Sequence, residues 1–497
     1  MKKINTTIFP LILLMGITIN YYSLSAQTSS DISALIGALL GESPLEEDLQ
    51  ELCDFYGGRV TGTEANLKSV EWGMDKFQKA GVAVQKEAFT MPQLWVENAT
   101  TAKVSGDINF SPKVVALSYS RPTPNEGIKT RLLDGGHGTL KDFARLGAGV
   151  KGQFILVETD VLIDIDGLFK EYADAVDIEA RALEAEAAGV VYMSSRPRRL
   201  LYRHNASRGT DNTLPMIVMG REDALRCLRS IRAGQSLMID VFIDLNLGGQ
   251  YSAENVIAEI KGSTKPEEVV IIGAHLDSWG LGTGANDNAC NVALMIDIAR
   301  QLTKLGIRPQ RTIRFALWNG EEQGMFGSWG YCKSHKDELD QHLMAMSVDI
   351  GSGPIIGFFS NGRPELQAAT EKLLQPVEGL GPFLIVDLPI VGTDNYDFMM
   401  EGIGNLVANH RPASYAINYH AESDTYDKVD LKSLKVNSAI VAALTLGYAN
   451  MPDTMINWKR QNRSEVQTLI DGTNLEMQMR MFNLWNPWVE GKRGRKE

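Results

Sequence analysis

A glycine-rich turn directly after a buried strand constrains the fold of this chain most. Segment 273–288 reads Gly-Ala-His-Leu-Asp-Ser-Trp-Gly-Leu-Gly-Thr-Gly-Ala-Asn-Asp-Asn and overlaps the apolar run 267–274. Such a run predicts a short buried strand. His275 and Asp287 then lie on opposite sides of a turn at the end of this strand. This arrangement is typical of half a zinc site.

Two further predicted strands are followed by acidic residues. Segments 311–319 and 344–348 have the apolar pattern of strands, and they precede Glu321-Glu322 and Asp349. Open α/β sheets bind ligands beyond the carboxyl ends of their strands. The sequence therefore predicts an α/β fold in which these side chains gather at one edge of the sheet.

The candidate ligands have the chemistry of a two-zinc site. Zinc binds imidazole nitrogen and carboxylate oxygen, and two neighbouring Zn²⁺ ions need a bridging carboxylate and about two further ligands each. Glu321 is left over as the natural general base, because adjacent side chains diverge and do not easily face one metal. Taken singly, a His-x-Asp or Glu-Glu pair is usually structural or solvated, so the positions at strand ends decide the interpretation. The complete predicted ligand set is His275, Asp287, Glu322, Asp349 and His420.

The order of these motifs resembles a known family. His-x-Asp, Gly-Ala-x-Asp-Asn, Glu-Glu, Asp and His-x-x-x-Asp-Thr follow one another as in the co-catalytic zinc aminopeptidases of peptidase family M-28, most closely in the carboxypeptidase Q-like branch. The phrase Gly-Ala-His-Leu-Asp-Ser-Trp is especially characteristic. The resemblance implies that His275 and Asp349 hold one zinc, that Glu322 and His420 hold the other, and that Asp287 bridges them.

The resemblance also implies supporting roles around the metals. Asp277 is expected to act beside Glu321 in catalysis by fixing the ring of His275, since metal-bound histidines usually need such a partner. Asp424 is expected to support the site. The peptide bond after Asp287 is often cis in the family, and we expect Asn288 to fix it by side-chain hydrogen bonding to the turn.

Three residues are candidates for substrate binding. Asp394 is the expected partner of a substrate ammonium group and Arg411 of a substrate carboxylate; a structural salt bridge or loop cap is an equal alternative for each. Tyr419 stands directly before His420, where relatives often have histidine, and we place it in the pocket wall. The assignments of Asp394 and Arg411 concern the free terminus of an exopeptidase substrate.

The resulting expectation is a zinc exopeptidase fold, with a mixed, mostly parallel sheet sandwiched by helices. The expected function is that of a secreted zinc-dependent exopeptidase, an aminopeptidase or dipeptidase, acting on short peptides. Two other classes stay open. A one-zinc cyclase acting on N-terminal glutamine has a related fold but does not need the complete two-metal set. A catalytically dead, receptor-like relative would have lost ligands or the base.

The chain divides into several predicted segments. Lys2-Lys3, the apolar stretch 8–19 and Ser-Leu-Ser-Ala before Gln27 are typical of a cleaved signal peptide, which predicts a secreted or periplasmic protein. The pattern after 112 resembles an inserted protease-associated domain, a smaller α/β or β-rich unit. The predicted boundaries are 1–26 for the signal peptide, 27–111 and 246–455 for the two parts of the peptidase domain, 112–245 for the insert, and 456–497 for a C-terminal tail.

Inserts of this kind lack catalytic residues. We therefore expect the basic stretch 196–203 to be a solvated loop, and His137 and His204 to pack or face solvent. Whether the tail docks on the domain or on a second subunit stays open, and a homodimer is compatible with the sequence.

Composition excludes several classes of protein. With 497 residues, 44% hydrophobic and 22% charged, the chain is long enough for two or three globular units. A net charge of −12 argues against nucleic-acid binding. After the leader no run approaches about 20 apolar residues, so no membrane span is expected. The four scattered cysteines are expected to be buried, with one disulfide allowed.

Overall fold

The structure is a computed structural model that describes residues 29–496, so the predicted signal peptide lies outside the described residues. Fifteen strands in this part of the chain form an eight-stranded and a seven-stranded sheet. No helix between 29 and 496 is long and apolar enough to cross a membrane.

The strands, in chain order, are β1 (Ala83–Met91), β2 (Trp95–Gly106), β3 (Val114–Ala116), β4 (Ile128–Asp134), β5 (Phe154–Val157), β6 (Gly189–Met193), β7 (Met216–Met219), β8 (Leu237–Leu247), β9 (Tyr251–Ile260), β10 (Lys265–His275), β11 (Arg311–Trp318), β12 (His342–Ser347), β13 (Ile355–Phe359), β14 (Leu384–Val386) and β15 (Asn405–His410).

The α-helices are α1 (29–40), α2 (Leu45–Glu51), α3 (Glu64–Lys79), α4 (Leu140–Leu146), α5 (Ile165–Glu184), α6 (Arg221–Arg232), α7 (Cys290–Lys304), α8 (Phe326–Ser334), α9 (Glu365–Leu373), α10 (Asn395–Met400), α11 (Tyr415–Asn418), α12 (Leu431–Ala449), α13 (Arg463–Asp471), α14 (Leu475–Met481) and α15 (Trp485–Val489). Short 3₁₀ and π turns lie between them.

The eight-stranded sheet has the order β1-β9-β11-β10-β12-β15-β13-β14. Its four central strands, β11, β10, β12 and β15, are parallel, and antiparallel pairings lie on either side. Successive side chains of a strand face opposite sides of the sheet. Val270 and Ile272 of β10 accordingly enter the core that contains α7 and α12, whereas Val269 and Ile271 pack with residues of α8 and α10. Burial on both faces explains the continuous apolar run in the sequence.

The seven-stranded sheet, β2-β8-β4-β5-β6-β7-β3, is formed entirely by residues 95–247, which we call the seven-strand unit. Its strands β4 to β7 are parallel. The predicted boundary at 112 differs from this sheet membership, because Trp95–Gly106 pairs with β8 along its whole length. We propose 95–247 as the extent of the inserted unit.

One helix of the seven-strand unit differs from its prediction. The sequence predicts a helix over 178–188, whereas α5 begins at Ile165 and ends at Glu184. The side chain of Asp164 accepts a hydrogen bond from the N–H of Gly167, which caps the helix and fixes its earlier start.

The C-terminal tail docks on the chain's own eight-stranded part. Val466, Ile470 and Trp488 from its helices pack into one cluster with residues of α10. Buried Arg493 forms an ion pair with buried Asp397, with Nη2 2.7 Å from Oδ2. All four cysteines are buried and free, so the allowed disulfide is not formed.

Candidate metal centre and active site

His275 is the last residue of β10 and is buried. Its Nδ1 lies 2.9 Å from the main-chain oxygen of Asp277. A proton on Nδ1 donates to this oxygen, which leaves Nε2 available as a ligand atom. The carboxylate of Asp277 is farther away, with Oδ1 3.8 Å from Nδ1. The residue expected to orient the ring is therefore in contact with it, but through its main chain.

The carboxylate of Asp277 instead organises the turn after β11. Its Oδ1 accepts a hydrogen bond from the N–H of Glu321 at 3.3 Å, and its Oδ2 accepts from the N–H of Glu322 at 3.4 Å. The hydroxyl of Thr61 donates to Oδ2 at 3.0 Å. Burial raises the pKa of Asp277. These three donors fix the turn that carries the predicted base and one predicted ligand.

Asp287 lies in the kinked turn Ala285–Ala289, and its peptide bond to Asn288 is cis, as the family resemblance implies. The Nδ2 of Asn288 donates to the main-chain oxygen of Val348 at 3.0 Å, so it bonds to the segment after β12 and not to its own turn. Asp424 accepts hydrogen bonds from the N–H of Asp287, at 3.1 Å, and from that of the preceding residue, at 2.8 Å. Its carboxylate thereby supports the turn.

His420 reaches the site from the loop after α11. Its Nδ1 lies 2.9 Å from the main-chain oxygen of Arg203, a residue of the seven-strand unit. Its Nε2 lies 2.8 Å from Oε2 of Glu322 and 3.3 Å from Oδ2 of Asp287. The same tautomer as at His275, with the proton on Nδ1, donates to this main-chain oxygen and leaves Nε2 as a ligand atom that faces the two carboxylates.

The five predicted ligands converge in two overlapping groups. His275 Nε2 lies 3.2 Å from Asp287 Oδ1 and 2.9 Å from Asp349 Oδ1. Within each group the ligand atoms all lie within 4.8 Å of one another, and each group could hold a metal ion. Asp287 belongs to both, with one carboxylate oxygen near each histidine. We call His275, Asp287 and Asp349 the first triad, and Asp287, Glu322 and His420 the second triad.

The donors of both triads suit a bound cation. Asp287 Oδ2 and Asp349 Oδ1 are buried, and neither accepts a well-formed hydrogen bond among residues 29–496, although a histidine ring nitrogen lies near each. Buried carboxylate oxygens normally accept a hydrogen bond. The triads offer only imidazole nitrogen and carboxylate oxygen, which zinc accepts. The thiol of Cys290, next to the turn, donates to the main-chain oxygen of Asn286.

Charge is concentrated at this centre. Burial raises the pKa of Glu321 and of Glu322 well above the usual range, and neighbouring carboxylates raise both further. Burial disfavours the charged ring of His275, but Asp349 and Glu321 raise its pKa well above the usual range. Burial lowers the pKa of His420 to about 4. The ring of His420 is therefore neutral at neutral pH, whereas that of His275 holds a proton that a metal would displace.

A cavity of about 440 Å³ opens onto the centre. Its wall includes Glu321, Glu322, His420 and the predicted substrate residue Tyr419. The hydroxyl of Tyr419 lies 3.1 Å from that of Tyr172 in α5. Other parts of the wall come from the seven-strand unit and from the tail, over 205–211 and 481–493.

The other two predicted substrate residues do not line this cavity. Asp394 is buried, its pKa is raised by burial and by the neighbouring Asp349, and it is absent from the described cavity wall. Arg411 is exposed in the loop before α11 and is also absent from that wall. The structure thus brings only Tyr419 to the cavity. Loop positions such as Arg411 have no periodicity from which sequence could place them.

The chain is similar in sequence and in fold to known peptidases. Residues 255–445 match the model of Peptidase family M28. The chain is 26% identical over 420 residues to carboxypeptidase Q of Xenopus laevis, which covers 82% of this chain and 86% of that protein. The crystal structure of a peptidase M28 precursor from Shewanella amazonensis has a TM-score of 0.78 at 27% identity and covers 86% of this chain and 97% of that one. Over residues 255–445 the chain therefore carries a peptidase family M28 domain.

Within this family the chain resembles the carboxypeptidase Q-like branch, and it is a metallo-exopeptidase. A zinc aminopeptidase from Bacillus subtilis shares the fold, with a TM-score of 0.64 at 20% identity over 80% of this chain and 93% of that one. The matched segment, 255–445, includes neither the seven-strand unit nor the tail. Residues of the unit and of the tail nevertheless line the cavity.

Sequence reasoning missed the contribution of the seven-strand unit. The stretch 196–203 was expected to be a solvated loop, but Arg196 and Arg203 are buried, and only its middle is exposed. His204 is also buried, with Nε2 2.9 Å from Oε2 of Glu171. Asn205 contacts the main chain of Glu322. The charged residues carry no strand or helix period, so only the partners Glu97 and Glu171, which are distant in sequence, explain their burial.

Proposed function

We propose that this peptidase holds two zinc ions and hydrolyses the terminal peptide bonds of short peptides. One ion is assigned to His275 and Asp349, the other to Glu322 and His420, with Asp287 as the bridge. The observation that carries this proposal is the pair of triads sharing one aspartate, beside a glutamate in the wall of the same cavity.

Glu321 is the proposed general base. Zinc, when bound, polarises a carbonyl oxygen and lowers the pKa of a water from about 15.7 toward 7. The Glu321 carboxylate, held by the Asp277-supported turn, accepts the proton of the attacking water and returns it to the nitrogen of the leaving amine. Burial raises its pKa, which suits a group that must both take and give a proton near neutral pH.

The cavity supports a preference for short substrates. A sphere of its volume is about 9 Å across, which accommodates roughly two or three extended residues at about 3.3–3.6 Å each. We further propose that the predicted leader, residues 1–26, directs export, and that the seven-strand unit corresponds to the predicted protease-associated insert.

The deciding experiment uses the purified mature chain loaded with zinc. We expect about two zinc ions per chain and release of amino acids from dipeptides, with loss of activity on chelation and recovery on adding zinc. Aminoacyl reporters and C-terminally blocked peptides would distinguish aminopeptidase from dipeptidase. One bound zinc with cyclisation of N-terminal glutamine would instead identify the cyclase class, and zinc binding without hydrolysis would identify a dead relative.

A further inference from the structure

The two triads are supported by different parts of the chain. In the first triad, the ring of His275 is oriented by Asp277, two residues along the same segment. In the second triad, the ring of His420 is oriented by the main chain of Arg203, which lies 217 residues away in sequence and in the seven-strand unit. The second histidine is therefore held by a unit outside the matched family segment.

This contact is part of a short antiparallel pairing between 201–203 and 420–422. The N–H of Arg203 donates to the oxygen of His420 at 3.1 Å, and the N–H of Glu422 donates to the oxygen of Leu201 at 3.1 Å. Tyr202 and Ala421 form the bridge between them. His420 has a φ of 54°, a left-handed conformation that is uncommon for residues other than glycine. Pairing on both sides holds the ligand in this conformation.

Glu322, which is also a ligand of the second triad, is held by residues of the seven-strand unit. Asn205 donates from Nδ2 to the main-chain oxygen of Glu322 at 2.7 Å. The hydroxyl of Tyr119, also in the seven-strand unit, donates to the oxygen of Gln323 at 3.4 Å. Glu322 thus has its N–H bound by Asp277 and its carbonyl bound by Asn205. The two bonds fix the peptide planes on both sides of the ligand.

The side chain of Arg203 anchors this segment against the metal turn. It is buried, pairs with Glu97, and lies over the rings of Trp95 at 5.2 Å and Trp279 at 5.9 Å. The main-chain N–H of Trp279 in turn donates to Oε1 of Glu322 at 3.2 Å. Trp279 and Ala421 both belong to the hydrophobic core of the seven-strand unit. The hydrophobic core of the seven-strand unit therefore includes a residue that bonds to Glu322 and a residue that adjoins His420.

We propose that the seven-strand unit completes the second metal site, with Asn205 as a positioning residue for Glu322, whereas the first metal site does not depend on it. This inference rests on the two-zinc assignment above. Metal coordination tolerates errors of only about 0.2 Å in ligand distance. Loss of groups that orient ligands typically costs about 10–100-fold in metal affinity. We expect this loss of zinc affinity at the second metal site only.

The test is Asn205→Ala, with zinc affinity measured by chelator competition. We expect one of the two zinc equivalents to bind about 10–100-fold more weakly and the other to be unchanged. Asn109→Ala is the control, because Asn109 is an exposed asparagine of the seven-strand unit that donates to the main-chain oxygen of Gly106 at 3.3 Å and does not contact a predicted ligand. It should leave both affinities unchanged.

Two backgrounds identify which ion is affected. In Asp349→Ala, where the second site remains, adding Asn205→Ala should weaken the remaining zinc; in Glu322→Ala, where the first site remains, it should have no effect. The melting temperature of the metal-free protein should fall by no more than the few degrees that one lost hydrogen bond costs, whereas its rise on zinc binding should shrink. Equal weakening in both backgrounds, or no weakening in either, would overturn the inference while leaving a two-zinc wild type intact. A wild type that binds fewer than two zinc ions would overturn the two-zinc assignment and this inference together.

Discussion

The two triads contain similar side chains but are built differently. Two residues of the first triad, His275 and Asp349, lie at or just beyond the ends of the adjacent parallel strands β10 and β12. In the second triad, only Glu322 follows such a strand, while His420 comes from a loop that is paired with the seven-strand unit. The strand ends of one sheet therefore place these two residues, and Asp287 comes from the turn that Asp424 supports. The second triad also needs two segments that are far apart in sequence to meet.

This difference shows how far the edge of a parallel sheet determines a metal centre. Parallel strands bring their carboxyl ends to a common edge without further help. Loops have no such constraint, and a ligand on a loop is positioned by whatever packs against it. We therefore expect the first triad to behave as a property of the eight-stranded sheet, and the second as a property of the interface between the two sheets.

The largest expected effect concerns Glu321, which belongs to neither triad. Glu321→Gln keeps the shape of the side chain but removes the base, so kcat should fall by at least about 100-fold while both zinc ions stay bound. Steady-state assays and metal analysis of the same preparation provide the measurement. Near-normal turnover in this variant would show that the proton acceptor is another residue.

The next effect concerns Asp287, the residue shared by both triads. Asp287→Ala removes a carboxylate oxygen from each, so at least one zinc equivalent should be lost and the other weakened. Metal content after gel filtration at fixed zinc concentration is the measurement. Two full equivalents in this variant would contradict the bridging assignment.

Single-triad variants should separate the two sites. Asp349→Ala should lose zinc from the first triad and Glu322→Ala from the second, about one equivalent each, because neither residue belongs to the other group. Titration of the zinc-free variants counts the sites that remain. Loss of both ions in either variant would mean that the triads act as one site.

The sequence was sufficient for the strand-end part of the centre. The apolar runs before His275, Glu321 and Asp349 correspond to β10, β11 and β12, and the fold class follows from their order. Hydrophobic periodicity and motif spacing are local signals, so they identify residues that a strand positions directly. The position of Tyr419 in the cavity wall followed from its place directly before His420 in the motif.

The partners of the second triad could not be predicted in this way. Arg203 and Asn205 lie in a segment without regular secondary structure, and their contacts with His420 and Glu322 span 217 and 117 residues. The local patterns of a single sequence do not reveal which of two distant loops will pair. The main-chain support of His275 was missed for a related reason, because side-chain chemistry does not reveal that the carbonyl of Asp277, and not its carboxylate, accepts the bond.

Acid should release the metals through different groups in the two triads. In the metal-free protein the raised pKa values of His275 and Glu322 favour their protonated forms, whereas the lowered pKa of His420, about 4, leaves its ring neutral. Zinc must displace these protons, so affinity should fall by about tenfold per pH unit for each proton as pH decreases. Calorimetry in buffers of different ionisation enthalpy should show that the wild type releases more protons on binding zinc than Glu322→Ala does. An equal proton count in both would refute the assignment to Glu322.

The smallest expected effect distinguishes the two roles of Asp277. In Asp277→Asn the main-chain oxygen that orients His275 is retained, but one side-chain oxygen becomes an NH₂ group and can no longer accept a hydrogen bond from the turn at Glu321 and Glu322. We expect kcat to fall roughly tenfold, with little change in zinc affinity at the first triad. Thr61→Val is the comparison variant: it removes one donor to the same carboxylate and the acceptor of the Gly320 N–H, but both carboxylate oxygens can still accept from Glu321 and Glu322, so it should cost less. If Asp277→Asn instead weakened the first-triad zinc as much as His275→Ala does, the carboxylate and not the main chain would orient the ring, and the first triad would depend on side-chain support as the second one does.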